Sequence, residues 1–286
     1  MALVESLQKA IDYMEEHLLE QPTIERISKQ ASLSPYHFQR TFTILTDLTV
    51  GDYMRRRRLT LAAQELTRTD CKIIDLAYKY GYETPEAFTK AFRKQHGCTP
   101  SEARHGIGKL QSYNRLAIQV SLKGAEPMKY RIVEREDFTV VGLKRECPCG
   151  ENAEGGSGIP EFWGEANADG TVNKLTRLLN GNIQGVLGMT CNYNADKGTI
   201  DYWIAAEHSG KTPDGFSSFT IPASKWVVFE VLGYAPTAMV NAWKRIYSEW
   251  IPSNGYALAE LPAIEAYISP DLFSPDSLNE IWLAVK

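Results

Sequence analysis

Along the first hundred positions apolar residues recur at steps of three and four. Val4, Leu7, Ile11, Met14 and Leu18 fall on one side of a helix, the spacing that buries one face of an amphipathic segment. Pro22 ends it, and Thr23 stands where it can cap a second helix over 24–31. Ser34 opens a third, with Pro35 at its first position, where a missing N–H costs nothing. On that third helix Phe38, Phe42 and Leu45 form an apolar stripe. Tyr36, Gln39, Arg40 and Thr43 form a polar one. A long helix is predicted over 50–66, with Tyr53, Leu59, Ala62 and Leu66 on its buried side. The pattern then returns. Residues 23–42 lie over 73–92 at a constant offset of 50 with no gap. Ile24 meets Ile74, Ala31 meets Gly81, Ser34-Pro35 meets Thr84-Pro85, Phe38 meets Phe88 and Phe42 meets Phe92. In the second copy Thr84 caps, Phe88 and Phe92 face inward, and Glu86, Thr89, Lys90 and Arg93 face outward. Gly81 supplies the permissive backbone of the turn. Each copy is a short helix, a tight turn and a capped second helix, the pattern of a helix-turn-helix. Two in tandem can lay two helices into one face of a duplex.

Residues 105–127 lack periodicity and carry Gly106, Gly108, Gly124 and Pro127, so a linker is expected there, over 109–127. The period then changes. Strand-like 129–146 leads to a helical stretch at 160–180 and strands near 184–193 and 199–207. Strand-like 219–232 leads to a helical stretch at 236–251 and strands near 262–268 and 279–285. The order β-α-β-β occurs twice, and Asp201-Tyr-Trp-Ile-Ala205 echoes Glu280-Ile-Trp-Leu-Ala284. The expectation is a multidomain chain: an all-α tandem helix-turn-helix domain at 1–108, the linker, and a pseudo-twofold α+β domain at 128–286.

Charge changes this picture little. The net charge of −4 is unlike a DNA binder, but residues 1–110 hold 16 Lys and Arg against 14 Asp and Glu, while 111–286 hold 15 against 21. The basic excess sits with the helix-turn-helix units, where nucleic acid needs it. Arg55 to Arg58 run consecutively, and beside such units Arg55 and Arg57 suit phosphate. Ser34, Thr84 and the helix N-termini suit phosphate oxygens too, while Arg40 and Gln39 have the donor geometry to read guanine and adenine edges. Five scattered cysteines in a chain without an export signal are expected to be reduced. Cys147-Pro-Cys149 has one residue between its thiols and no second pair nearby, so a plain loop is expected, with no metal. No apolar run approaches the roughly 20 residues of a membrane helix, and a cytoplasmic protein is expected.

All six tryptophans lie in the second half. Alternation in Pro262-Ala-Ile-Glu-Ala-Tyr-Ile268 puts Glu265 and Tyr267 on one face. Glu265 either faces solvent or sits among aromatic rings, and a carboxylate in the second setting suits a lipophilic cation, since charge pairing adds to cation–π attraction. Trp163, Trp203, Trp226, Tyr234 and Trp282 are candidate walls of such a site, each also a candidate for the core.

Residues 4–104 resemble the AraC/XylS family of bacterial transcription regulators. The segments LSPYHFQRTF, GDYMRRRRL and IIDLAYKYGYETPEAFTKAFRKQHGCTPSEAR carry the resemblance. It implies two helix-turn-helix units on a long helix, double-stranded DNA as partner and RNA polymerase as a further one. By position it assigns base reading to Tyr36, Gln39 and Arg40 in the first unit and to Glu86, Thr89 and Lys90 in the second. Glu86 departs from the polar uncharged residues more usual there, and an acid beside DNA repels phosphate unless it accepts from a cytosine amino group. Residues 129–286 resemble the GyrI-like effector-binding domain, on IPEFW, GVLGMTCNYN, IPASKWVVFEVLGYAP, PAIEAYISP and EIWLAVK. That resemblance implies a small, often cationic and hydrophobic effector in an aromatic cleft with an acidic residue, and no cofactor. The leading expectation is a ligand-responsive transcription regulator rather than an enzyme. The alternative is a GyrI-like small-molecule hydrolase fused to a DNA-binding domain, with Glu265 and Tyr267 as an acid/base pair. Against it, the second half offers one histidine, His208, in a polar stretch, and no convincing nucleophile.

Overall fold

A computed structural model describes residues 3–118, 127–149, 157–194 and 197–286. The chain divides into two compact units, Met1–Ser121 and Leu122–Lys286.

The first unit is helical: α1 (Leu3–Glu16), α2 (Ile24–Gln30), α3 (Pro35–Thr46), α4 (Val50–Arg68), α5 (Ile73–Lys79), α6 (Pro85–His96) and α7 (Pro100–Arg104). The caps form where the spacing predicts. The Ser34 hydroxyl accepts from the His37 amide, and the Thr84 hydroxyl from the Ala87 amide. Thr23 occupies the cap position of α2 without that side-chain bond. Gly81 turns at φ +82°, a left-handed conformation that favours glycine. Two cores result. Leu7, Ile11, Met14, Ile27, Phe38 and Phe42 enclose one, Leu76, Phe88 and Phe92 the other. Helix α4 joins them, giving Val50, Tyr53 and Met54 to the first and Leu59, Ala62, Ala63 and Leu66 to the second.

The segment after α7, expected as linker, is bound along this unit over its first half. The Gln111 amide donates to His96 Nδ1 at 3.1 Å and the Tyr113 amide to Thr60 Oγ1 at 3.1 Å. The Leu116 amide donates to Tyr53 Oη at 3.2 Å, and the Ile118 amide to Gln8 Oε1 at 3.4 Å. Periodicity cannot reveal such a strap, because its backbone bonds to side chains rather than to a ladder.

The second unit has β1 (Tyr130–Arg135), β2 (Phe138–Pro148), α8 (Ile159–Ala168), α9 (Thr171–Leu178), β3 (Val186–Asn194), β4 (Thr199–Glu207), β5 (Ser217–Ile221), β6 (Ser224–Leu232), α10 (Ala235–Arg245), α11 (Ile251–Asn254), β7 (Ala263–Tyr267) and β8 (Leu278–Val285). One antiparallel sheet runs β1-β6-β8-β7-β3-β4-β2-β5. Each of the two long strand-like runs is two strands, because alternation continues across a bend that it cannot register. The chain breaks at Glu136-Asp137 and at Pro222-Ala223. Each half thereby lends its leading strand to the other: β1 pairs β6, and β5 pairs β2. The repeats meet at β3 and β7, with Gly188 opposite Glu265. Cys147 and Pro148 end β2 instead of lying in a loop, and the Cys147 thiol is buried.

The sheet curls. Phe138 of β2 meets Trp226 of β6 at 6.1 Å between ring centroids, although four strands separate them in the sheet. Arg135 at the end of β1 pairs with Glu207 at the end of β4 at 2.7 Å. Inside the curl Leu187, Met189, Trp203, Trp226, Ile264 and Trp282 form a closed core. Register places Glu265 and Tyr267 on the opposite face.

Candidate DNA-reading helices and effector site

Helices α3 and α6 present the polar stripes that the sequence assigns to them. On α3 Thr43 is exposed and Tyr36, Gln39 and Arg40 are half-buried. Arg40 Nη1 donates to Tyr36 Oη at 2.8 Å, one turn earlier. On α6 Glu86, Lys90 and Arg93 are exposed and Thr89 is half-buried. These four, with Pro85, Lys94 and Thr99, line an open concavity of about 680 Å³. Lys94 and Thr99 were not singled out from the sequence. Lys94 lies one turn beyond Lys90, and that spacing was the available signal.

The arginine run divides by task. Arg55 pairs with Asp52 on its own helix, and Arg56 lies over the Tyr113 ring, 4.9 Å from its centroid. Arg57 turns inward. Its Nε and Nη2 reach Glu15 of α1 at 2.8 and 2.7 Å, and its Nη1 donates to the Tyr113 carbonyl at 2.8 Å. Tyr53 Oη donates to the same Glu15 at 2.5 Å. Burial opposes the charge on Glu15, yet the bonds from Arg57 and Tyr53 hold its carboxyl below the usual range. Arg57, expected on phosphate, is committed to this pair with only 12% of its side chain exposed. Ser34 and Thr84, also expected on phosphate, are engaged as helix caps.

In the second unit, strand β7 holds Glu265 half-buried among rings. Trp243 of α10 donates its indole N–H to Glu265 Oε1 at 2.6 Å. Tyr267 donates its hydroxyl to Glu265 Oε2 at 2.8 Å. The Tyr267 ring meets Trp163 of α8 edge-on, 5.2 Å between centroids. Trp163 in turn donates its indole N–H to Tyr202 Oη at 2.9 Å. Gly188 makes this arrangement possible, since a Cβ there would lie 2.4 Å from Tyr202 Oη. Of the walls expected from sequence, the structure brings Trp163 to Tyr267, one of the two donors to Glu265. Trp203, Trp226 and Trp282 belong instead to the core inside the curl, because alternation along β4, β6 and β8 turns them to the far face. Tyr234 is exposed at the start of α10, against Phe273 at 5.6 Å. Trp243 and Tyr202 were not identified from sequence. Tyr202 precedes Trp203 and therefore faces the other way, and Trp243 reaches β7 from α10, an element that packs on β6, through its bond to Glu265. His208, weighed for the hydrolase, has Nδ1 at 2.8 Å from the Leu178 carbonyl. Among the described residues no group of acidic, histidine or cysteine side chains fits a metal ion, and no helix is long and apolar enough to cross a membrane.

Comparison with known proteins agrees with this division. Residues 128–286 match the GyrI-like small molecule binding domain, and residues 27–106 match a helix-turn-helix domain. Regulatory protein SoxS of Escherichia coli (strain K12) is 39% identical over 101 residues, 35% of this chain and 94% of SoxS. Right origin-binding protein of the same organism is 29% identical over 139 residues, 48% of this chain and 47% of that protein. The solved structure of SAV2435 bound to tetraphenylphosphonium is 27% identical, covering 56% of this chain and 94% of that one, at a TM-score of 0.49. SoxS is a regulatory protein by name, and the chain belongs to the AraC family of helix-turn-helix transcription regulators, with a C-terminal GyrI-like small molecule binding domain.

Proposed function

We propose that the GyrI-like domain binds a small lipophilic cation against Glu265, and that its occupancy changes how α3 and α6 engage operator DNA. The observation that carries this reading is the setting of the carboxylate. Glu265 is held by an indole and a phenol, with a second indole packed on that phenol. A negative charge fixed among ring faces attracts a cation by charge and by π contact together, and an apolar cation gives up little hydration on entering. On the DNA side, Tyr36, Gln39, Arg40 and Thr43 are the readers proposed for α3. Glu86, Thr89, Lys90 and Arg93 are those proposed for α6.

Calorimetric titration with tetraphenylphosphonium tests the effector site. Glu265→Gln keeps the shape and removes the charge, so it should weaken binding by about tenfold to a hundredfold. Equal affinity of wild type and variant would mean that shape alone selects the ligand. Footprinting on genomic fragments with and without the same cation tests the link to DNA. Occupancy that leaves every footprint unchanged would make the domain a sequestering module.

A further inference from the structure

We infer that the Glu265 site selects quaternary, weakly hydrated cations over primary ammonium ions built on the same aromatic scaffold, and that Trp243 and Tyr267 set this preference. The inference rests on Glu265 being the counter-charge of the effector.

Each carboxylate oxygen of Glu265 already accepts a hydrogen bond, one from Trp243 Nε1 and one from Tyr267 Oη. The next hydroxyl, Tyr202 Oη, already accepts from Trp163 Nε1. Both donors to Glu265 are held in place. Trp243 is buried and stacked on Tyr247 at 5.9 Å, and Tyr267 is wedged edge-on against Trp163. The site therefore offers a carboxylate and π faces, while its acceptor oxygens are partly spent. A primary ammonium brings three N–H donors and a compact, strongly hydrated charge. It must leave those water bonds behind, and a carboxylate shared with two other donors replaces them poorly. A quaternary centre has no N–H to satisfy, so the same charge and rings attract it without that penalty. Trp243 and Tyr267 act as positioning residues: they hold the carboxylate in place while withdrawing part of its accepting capacity.

The test is calorimetry on the full-length chain with (biphenyl-4-ylmethyl)trimethylammonium and the corresponding primary (biphenyl-4-yl)methylammonium. Wild type should prefer the quaternary ion by about tenfold or more. Tyr267→Phe and Trp243→Phe keep a ring and free an oxygen lone pair, so each should narrow that ratio several-fold. The methyl groups add the same apolar contact in wild type and variants, and the change in ratio isolates the donors. Tyr267 is half-exposed, so Tyr267→Phe carries the test if Trp243→Phe fails to fold. A wild-type preference for the primary ion overturns the inference, as does a ratio unmoved by Tyr267→Phe. Glu265→Gln separates this from the parent reading. If both cations bind that variant as tightly as wild type, the reading of the site itself falls. If both need Glu265 but the ratio stays fixed, the selectivity inference falls alone. If neither binds wild type, both fall.

Discussion

Arg57 and Glu86 show how little a residue's type says without its partners. Arg57 sits in a run of four arginines and reads as a phosphate contact, but its guanidinium is paired with Glu15 inside the helical unit. Removing one partner strands the other, so Arg57→Ala should cost about 3–5 kcal/mol in a denaturant titration. A phosphate contact would instead lower the salt dependence of DNA binding by about one unit of slope, and Arg57→Ala should leave that slope unchanged. The pH dependence has a definite sign. Glu15 titrates lower folded than unfolded, so its contribution is complete above the ordinary carboxylate range. It is lost as pH falls through the depressed folded value. The acid limb of a stability–pH curve should therefore flatten in Glu15→Gln. Glu86 is exposed on the α6 face, and a carboxylate on a face laid against DNA would repel phosphate. Glu86→Gln should tighten binding and reduce discrimination between sequences. A loss confined to the operator would show the acid accepting from a cytosine amino group. Arg40→Ala should cost about 1–3 kcal/mol at one base position, and an equal loss on every sequence would reduce Arg40 to a phosphate contact.

Among the elements, the strap over 111–118 matters most for where the helical domain ends. It bonds to His96 near one end and to Gln8 near the other, crossing α4 between them. It thereby ties the two helix-turn-helix units to the helix that spaces them. A chain of residues 1–118 should melt about 5–10 °C above one of residues 1–108, since roughly 1 kcal/mol shifts a domain of this size by 4–8 °C. Equal melting points would mean that the strap only rests on the surface. His96 makes the strap sensitive to acid. Its Nδ1 accepts from the Gln111 amide, and burial lowers its pKa from the ordinary 6.5. The stability from this neutral ring is present above that ordinary value. It is lost as pH falls below it toward the folded value, because protonated Nδ1 cannot accept. The protection factor of the Gln111 amide, the unfolded chain's exchange rate at the same pH divided by its own, should fall over that window before the helices melt.

For the whole molecule, the proposed regulation is a coupling between two units and must be reciprocal. If tetraphenylphosphonium changes operator affinity by some factor, operator DNA must change tetraphenylphosphonium affinity by the same factor. Paired titrations that disagree would show that cation and DNA meet at some other site. How far this molecule was legible in sequence follows from the range of each signal. The gapless repeat, the caps at Ser34 and Thr84 and the apolar stripes of α3 and α6 are local patterns of period 3.6. They determined the helical unit nearly residue by residue. Alternation determined that Glu265 and Tyr267 share a face, but it did not single out Trp163 from the other tryptophans as the one that packs on Tyr267. Alternation alone could not reveal that two strand-like runs bend and exchange partners across the sheet, since period two continues through a bend. It also could not say which face of the curled sheet is closed. Only the tertiary structure sent Trp203, Trp226 and Trp282 into the core, brought Trp243 to Glu265 and turned Arg57 toward Glu15. Those contacts join residues far apart in the chain, and no local period records which distant side chain arrives.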